Sequence, residues 1–329
     1  MLHMMKLSLM KNVVQTVGSD WKSNLAEEII NYWDYELDSV YYWRASANFI
    51  FVCNTKGKRA FLRFNSVDER SREQIQSEIS IVNYLSAKQL EVAKPILSKH
   101  QNYIEKVETT LGVFYASLFE GLEGEQLEME QLNSEQFHIW GKALGKLHEV
   151  SKGITEEKIA SIRNRHSWKD HANLIKKYVT GELVEEAESV ISQLESLDTT
   201  SQNFGLIHFD FELDNIYWDN GSISILDFDD ASHYWYVADI AFALRDLHEP
   251  SGEYFEAFMS GYRSQTDVDE DMLAKLPLFA RFHELYLYAR LKRALDLELS
   301  SEHPEWVNNL VEKLTNRLYK LAKNSQKTS

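Results

Sequence analysis

The spacing of apolar residues changes character along this chain. Leu25, Ile29, Ile30 and Trp33 share one face at helical spacing and predict a helix over 25–37. Two β-rich runs follow, 47–53 and 60–64. The intervening 54–58, centred on Gly57, predicts a hairpin. Over 69–87 the pattern turns helical, with Ile75, Ile79, Val82 and Leu85 at spacings of 4, 3 and 3. Pro95 closes that connection. Residues 102–107 and 113–119 predict two more strands joined by a turn at Thr109–Gly112. The first third therefore reads as a mostly antiparallel sheet with one inserted helix.

The pattern breaks at 120–125, where Gly121 and Gly124 sit among acidic residues like a hinge. Phe137, Trp140, Leu144 and Leu147 then predict a helix over 134–150, with Ser134 as its cap. Two helices are expected over 167–197, on either side of Gly181. A short β-like island covers 205–229. From Ala238 the chain reads as helical to about Lys323, with breaks near Pro250, Pro277 and Pro304. The class is α+β, with expected units 1–119 and 120–329. A length of 329 residues agrees with about two such units.

Composition narrows the function classes. Lys and Arg number 35 against 51 Asp and Glu, a net charge of −16. Such a chain repels phosphate backbones, so nucleic acid is not an expected partner. The single cysteine, Cys53, excludes an internal disulfide framework and a Cys-rich zinc site, and fits a reducing cytoplasm. Apolar runs are too short to span a membrane, so no membrane association is expected. Lys6 and Lys11 interrupt the apolar stretch of residues 1–14, which reads as the approach to a first helix and not as a signal peptide.

The chemistry is concentrated in the island. An apolar strand end delivers His208 and Asp210, and Asn215 follows Asp210 by five residues. A tight turn at Asn220-Gly221 returns the chain, and a second apolar strand delivers Asp227. Phosphoryl transfer requires this set: a carboxylate to orient and deprotonate an acceptor hydroxyl, and a carboxylate plus an amide oxygen to hold Mg²⁺. Protein kinases space these groups as Asp-x-x-x-x-Asn, followed by an Asp at the end of the next strand. Asp210, Asn215 and Asp227 match that spacing.

His208-Phe209-Asp210 and Asp227-Phe228-Asp229 resemble the His-Gly-Asp and Asp-aromatic-acid motifs of the aminoglycoside phosphotransferase and choline kinase superfamily. The resemblance runs from about Asn48 to Leu291 and is specific over 206–244. It implies a two-lobed protein-kinase-like fold. An N-terminal nucleotide-binding lobe would precede a larger, mainly helical lobe carrying the catalytic loop and acceptor site. It implies that Asp210 is the catalytic base, that Asn215 and Asp227 are Mg²⁺ ligands, and that Asp229 assists. It also implies that Asp239 anchors the catalytic loop, a position otherwise readable as a helix N-cap. His208 would support that loop. Phe209 stands where the family commonly has Gly, and Glu212 where it often has His; both departures are expected to shape the acceptor pocket.

On the nucleotide side, Arg63 occupies the strand position of the kinase lysine, and Glu78 on the following helix is its expected partner. There is no Gly-rich loop. Asn48 lies where the family covers the phosphates, Phe119 lies in a hinge (118–120) whose backbone would meet adenine, and Tyr217 is a candidate floor for the base.

For the acceptor, the candidates are His233, Tyr234, Trp235, Tyr236, His283, Glu284, Tyr286 and Tyr288. Arg245 or Arg281 would serve a carboxylated substrate. Aromatic faces beside carboxylates favour a cationic acceptor. The function expected is transfer of the γ-phosphate of ATP, with Mg²⁺, to a hydroxyl of a small molecule: an aminoglycoside, an amino alcohol or a homoserine-like amino acid. A Ser/Thr protein kinase and a nucleotide-binding pseudokinase are the alternatives. The short stretch from Asp227 to Asp239 disfavours the first, and the intact Asp210, Asn215 and Asp227 disfavour the second.

Overall fold

In the computed structural model, residues 4–247 and 251–323 are described. Two short helices, α1 (Leu7–Val14) and α2 (Asn24–Ile30), precede a six-stranded antiparallel sheet. Its strands are β1 (Tyr41–Ala45), β2 (Phe49–Thr55), β3 (Lys58–Ser66), β4 (Pro95–Ile96), β5 (Glu105–Thr109) and β6 (Gly112–Glu120). The order is β1-β2-β3-β6-β4, with β5 also paired to β6. Alternation along the strands puts Phe49, Phe51, Leu62, Phe64, Ala116 and Leu118 on one face, in a core shared with α1 and α2. The other face carries Ile50, Arg63 and Ser117, which are cross-strand neighbours. That second face meets α3 (Arg72–Ala87), whose start is fixed by a reciprocal Ser71/Gln74 capping box.

The remainder is largely helical. It comprises α4 (Ser134–Ser151), α5 (Trp168–Tyr178), α6 (Leu183–Glu195), α7 (Tyr236–Ala243), α8 (Glu253–Arg263), α9 (Glu270–Leu273), α10 (Leu276–Ala294) and α11 (Glu305–Lys323). Helices α4 and α8 cross at Gly141 and Gly261; a Cβ on either glycine would collide with the backbone of the opposite helix. The island forms two small antiparallel pairs. One joins β7 (Phe204–Ile207) to β10 (Ser232–Trp235), the other β8 (Ile216–Asp219) to β9 (Ser222–Ile225).

Several expectations shift. Helix α2 ends at Ile30, and Trp33 reaches the core from the turn beyond it. Strand β1, with its exposed Tyr41 and Trp43, had no alternating apolar signal. Asn133, not Ser134, caps α4. Pro277 lies in the first turn of α10, where a missing N–H costs nothing, so it starts a helix instead of breaking one. The stretch 120–125 is tied down: Glu125 and Trp218 exchange backbone hydrogen bonds of 3.0 and 2.8 Å. The expected break at Pro250 lies outside the described residues. Among the described residues no helix is long and apolar enough to cross a membrane.

Candidate active site

Strand β7 ends at Ile207, and the loop behind it is held by one buried carboxylate. Asp239, on the first turn of α7, accepts the backbone N–H of His208 at Oδ2 (2.8 Å) and of Phe209 at Oδ1 (2.7 Å). His148 Nε2 lies 3.0 Å from the same Oδ2 and is itself backed by the Tyr262 hydroxyl, 2.8 Å from Nδ1. Asp239 is thus the loop's anchor and not a cap; the N-cap of α7 is Trp235. His208 donates from Nε2 to the Leu226 carbonyl (3.0 Å) and accepts the Asp210 N–H at Nδ1 (3.3 Å). Both ring nitrogens are engaged, and burial lowers its pKa, so it is a neutral brace between the two halves of the island.

Asn215 donates from Nδ2 to both the backbone oxygen and Oδ2 of Asp210, each at 2.9 Å. That fixes the Asp210 carboxylate and leaves Asn215 Oδ1 as the amide's acceptor atom. Asp227 follows β9 in the left-handed region, φ 64°. Its Oδ1 lies 3.3 Å from Arg63 Nη1 and its Oδ2 3.6 Å from Arg44 Nη2. Burial first, and the neighbouring Asp229 second, push the Asp227 carboxyl upward in pKa. A hard cation would relieve both causes. The donor set, one carboxylate and one amide oxygen, fits Mg²⁺ completed by phosphate oxygens and water.

Arg63, on β3, bridges two acids. Its Nη2 lies 2.5 Å from Glu78 Oε2 on α3 while Nη1 reaches Asp227. Its guanidinium lies 4.6 Å from the centre of the Phe119 ring. Around this pair opens a cleft of about 800 Å³, open solvent included, walled by Ile50, Phe61, Phe119, Tyr217 and Leu226. It adjoins a cavity of about 450 Å³ that holds Asp210, Asn215 and Asp227; Arg44 and Asp227 line both. A third, polar pocket of about 830 Å³ joins the second at Ala47 and Asp230; both these volumes also include open solvent.

The model of the phosphotransferase enzyme family matches residues 44–274. The chain belongs to that family. This phosphotransferase is 26% identical to amicoumacin kinase of Bacillus subtilis (strain 168) over 294 residues, which cover 84% of this chain and 87% of that protein. Among solved structures it is similar to an amicoumacin kinase in complex with AMP-PNP, Ca²⁺ and Ami (TM-score 0.77, 21% identity, 92% of this chain and 95% of that one). It is also similar to the microcompartment-associated aminopropanol kinase (TM-score 0.65, 20% identity, 89% and 94%). These likenesses establish the two-lobed, protein-kinase-like α+β fold.

Not every candidate of the phosphotransferase lies where the sequence suggested. Asn48 is buried, and its amide donates to Asp229 Oδ2 at 2.6 Å instead of facing the cleft. Asp229 Oδ2 also receives Arg70 Nη2 at 2.8 Å, so this acid ties Asn48 and Arg70 to the turn after Asp227. In the hinge, the Glu120 N–H donates to Lys94 and the Gly121 N–H to Arg59, which removes both as donors to a base.

Of the aromatic acceptor candidates, Tyr234, Trp235, Tyr236, His283 and Tyr288 are core residues. His233 is held in β10. Arg281 is paired to Glu186 and Glu284, and Arg245 to Glu212. Only Tyr286 of that group lines the third cavity.

Three further arginines join the site. Arg165 donates to the backbone oxygens of Gln74, Phe228, Asp229 and Ala231, clamping the turn after Asp227 to α3. Arg70 and Arg290 both reach Asp230. No local pattern marks them, because their partners lie far away in sequence.

Proposed function

We propose that this phosphotransferase moves the γ-phosphoryl group of ATP, with Mg²⁺, to a hydroxyl of a small molecule. The observation that carries the reading is the convergence of Asp210, Asn215 and Asp227 on one cavity beside the Arg63–Glu78 pair. Residues 1–119 would bind the nucleotide and 120–329 the acceptor. Ile50, Phe119, Tyr217 and Leu226 offer an apolar slot for the base. Arg63, held by Glu78, would stabilise phosphate charge that builds in the transition state. Asn215 Oδ1 and Asp227 would hold Mg²⁺, which supplies charge neutralisation across the phosphates. Asp210, oriented by Asn215, would accept the hydroxyl proton as the acceptor oxygen attacks.

The third cavity is where the acceptor would lie. It carries Glu69, Asp170 and Asp230 as well as Arg70, Arg290 and Arg293, with the Tyr286 ring stacked on His171 at 4.1 Å. Such a lining suits a polar molecule bearing both donors and acceptors. The likeness to an aminopropanol kinase supports an amino alcohol. A protein substrate is disfavoured: β10 and α7 take up the chain between Asp227 and Asp239, leaving no activation segment.

The test is transfer of label from γ-labelled ATP across aminoglycosides, amino alcohols, homoserine, simple sugars and a generic protein. Label on one small-molecule class is the expected result. Label only on protein, or on nothing while ATP stays bound, contradicts the proposal.

A further inference from the structure

We infer that Arg44 is a second phosphate-binding guanidinium, which with Arg63 clamps the terminal phosphates of a nucleoside triphosphate; the inference rests on the function proposed above. It starts from strand register. Tyr41 pairs with Val52 and Tyr42 with Phe51, but Arg44 pairs with Ile50 and Ala45 with Phe49. Trp43 is therefore an extra residue, a bulge in β1. Continued without it, the register would set Arg44 opposite Phe49, on the face packed in the core. The bulge sets Arg44 opposite Ile50, whose partner on β3 is Arg63. Arg44, Ile50 and Arg63 thus form one row across the sheet, facing Asp227.

The two guanidiniums bracket Asp227, Arg63 at Oδ1 and Arg44 at Oδ2. Arg63 has a second acid, Glu78, whereas among the described residues Arg44 is paired with Asp227 alone, at 3.6 Å, beyond hydrogen-bond length. Arg44 Nε is buried and has no hydrogen-bond partner among the described residues. A buried donor on a charged group without an acceptor is costly, so its natural complement is an anion that brings several oxygens. Arg44 lines both the nucleotide-side cleft and the catalytic cavity, so it stands where the two meet. A phosphate at that junction would give it a forked partner. The chain has no Gly-rich loop to cradle phosphates with backbone amides, and the Ser46 N–H is already bonded to the Asn48 carbonyl. Arg44 would supply from a side chain what such a loop supplies from the backbone.

The experiment is equilibrium binding of ATP, ADP and adenosine, with Mg²⁺, to the full chain as wild type, Arg44→Gln and Arg44→Lys. Losing a charge-assisted contact should weaken ATP binding about 10- to 100-fold in Arg44→Gln. Adenosine affinity should be unchanged, ADP less affected than ATP, and Arg44→Lys intermediate. Wild-type ATP affinity in Arg44→Gln overturns the inference. So does a parallel loss of adenosine, which would assign Arg44 to the fold alone. A wild-type chain that binds none of the three overturns the nucleotide reading itself, and the inference with it.

Discussion

Asp239 Oδ1 accepts the backbone N–H of Phe209 at 2.7 Å, and Phe209 sits in the left-handed region at φ 75°. That conformation suits glycine; a bulky residue there is strained by about 1–3 kcal/mol. Two things hold it. One is the Asp239 bond. The other is the ring, buried against Tyr234, Phe242, His283 and Tyr286 at centroid distances of 5.1–5.4 Å. Phe209→Gly relieves the backbone and leaves a void, and the void dominates. A net loss of about 2 kcal/mol or more is expected in urea unfolding. A more stable variant would show that the ring contributes little.

Asp239→Asn leaves one of two backbone donors facing an amide N–H. A loss of about 3 kcal/mol is expected, with activity reduced because the loop carrying Asp210 loosens. Unchanged unfolding and turnover would remove Asp239 from its anchoring role.

Arg63→Lys tests the bridge between Glu78 and Asp227. A point-charge ammonium cannot fork to two acids and a phosphate as a guanidinium does. The expected result is a KM for ATP raised about 10-fold, with the KM for the acceptor unaltered. A change confined to the acceptor would place Arg63 elsewhere in the mechanism.

Stability should fall in acid. Burial lowers the pKa of His166, His208 and His233 below the ordinary 6.5. The unfolded chain therefore binds more protons than the folded one once pH drops through about 6.5. The thermal midpoint should decline from about pH 7.5 to about pH 5.5. His208→Gln should flatten part of that slope; a flat wild-type profile contradicts the neutral brace.

Asp227 carries the opposite sign. Its carboxyl is raised in the fold, so without a cation it opposes stability as pH rises above the ordinary carboxylate range. A divalent cation held by Asp227, as proposed, would displace a proton from it. Mg²⁺ with ATP should therefore raise the thermal midpoint more near pH 8 than near pH 6. An equal shift at both would show that Asp227 is not the residue that yields a proton to the metal.

The arrangement of the candidate catalytic loop is legible in the sequence because its parts are local. Asp210, Asn215 and Asp227 lie within one strand–loop–strand unit, where spacing alone limits geometry. Arg63 and Glu78 were readable because a strand and the helix after it present one residue each. Arg44 was hidden by a bulge, since alternation along β1 cannot reveal a change of register. Arg165 was hidden by distance: its bonds span Gln74 to Ala231. Asn48 was legible as a position but not as an orientation, because Asp229 meets it only in the folded chain.

Whether Asp210 takes the acceptor's proton is decided by single-turnover phosphoryl transfer in Asp210→Asn. Nucleotide affinity is measured alongside. A positioned base contributes about 10²–10⁴-fold, so transfer should fall by at least about 100-fold while ATP binding stays near wild type. Transfer at the wild-type rate, with ATP bound as before, would show that Asp210 is not the base.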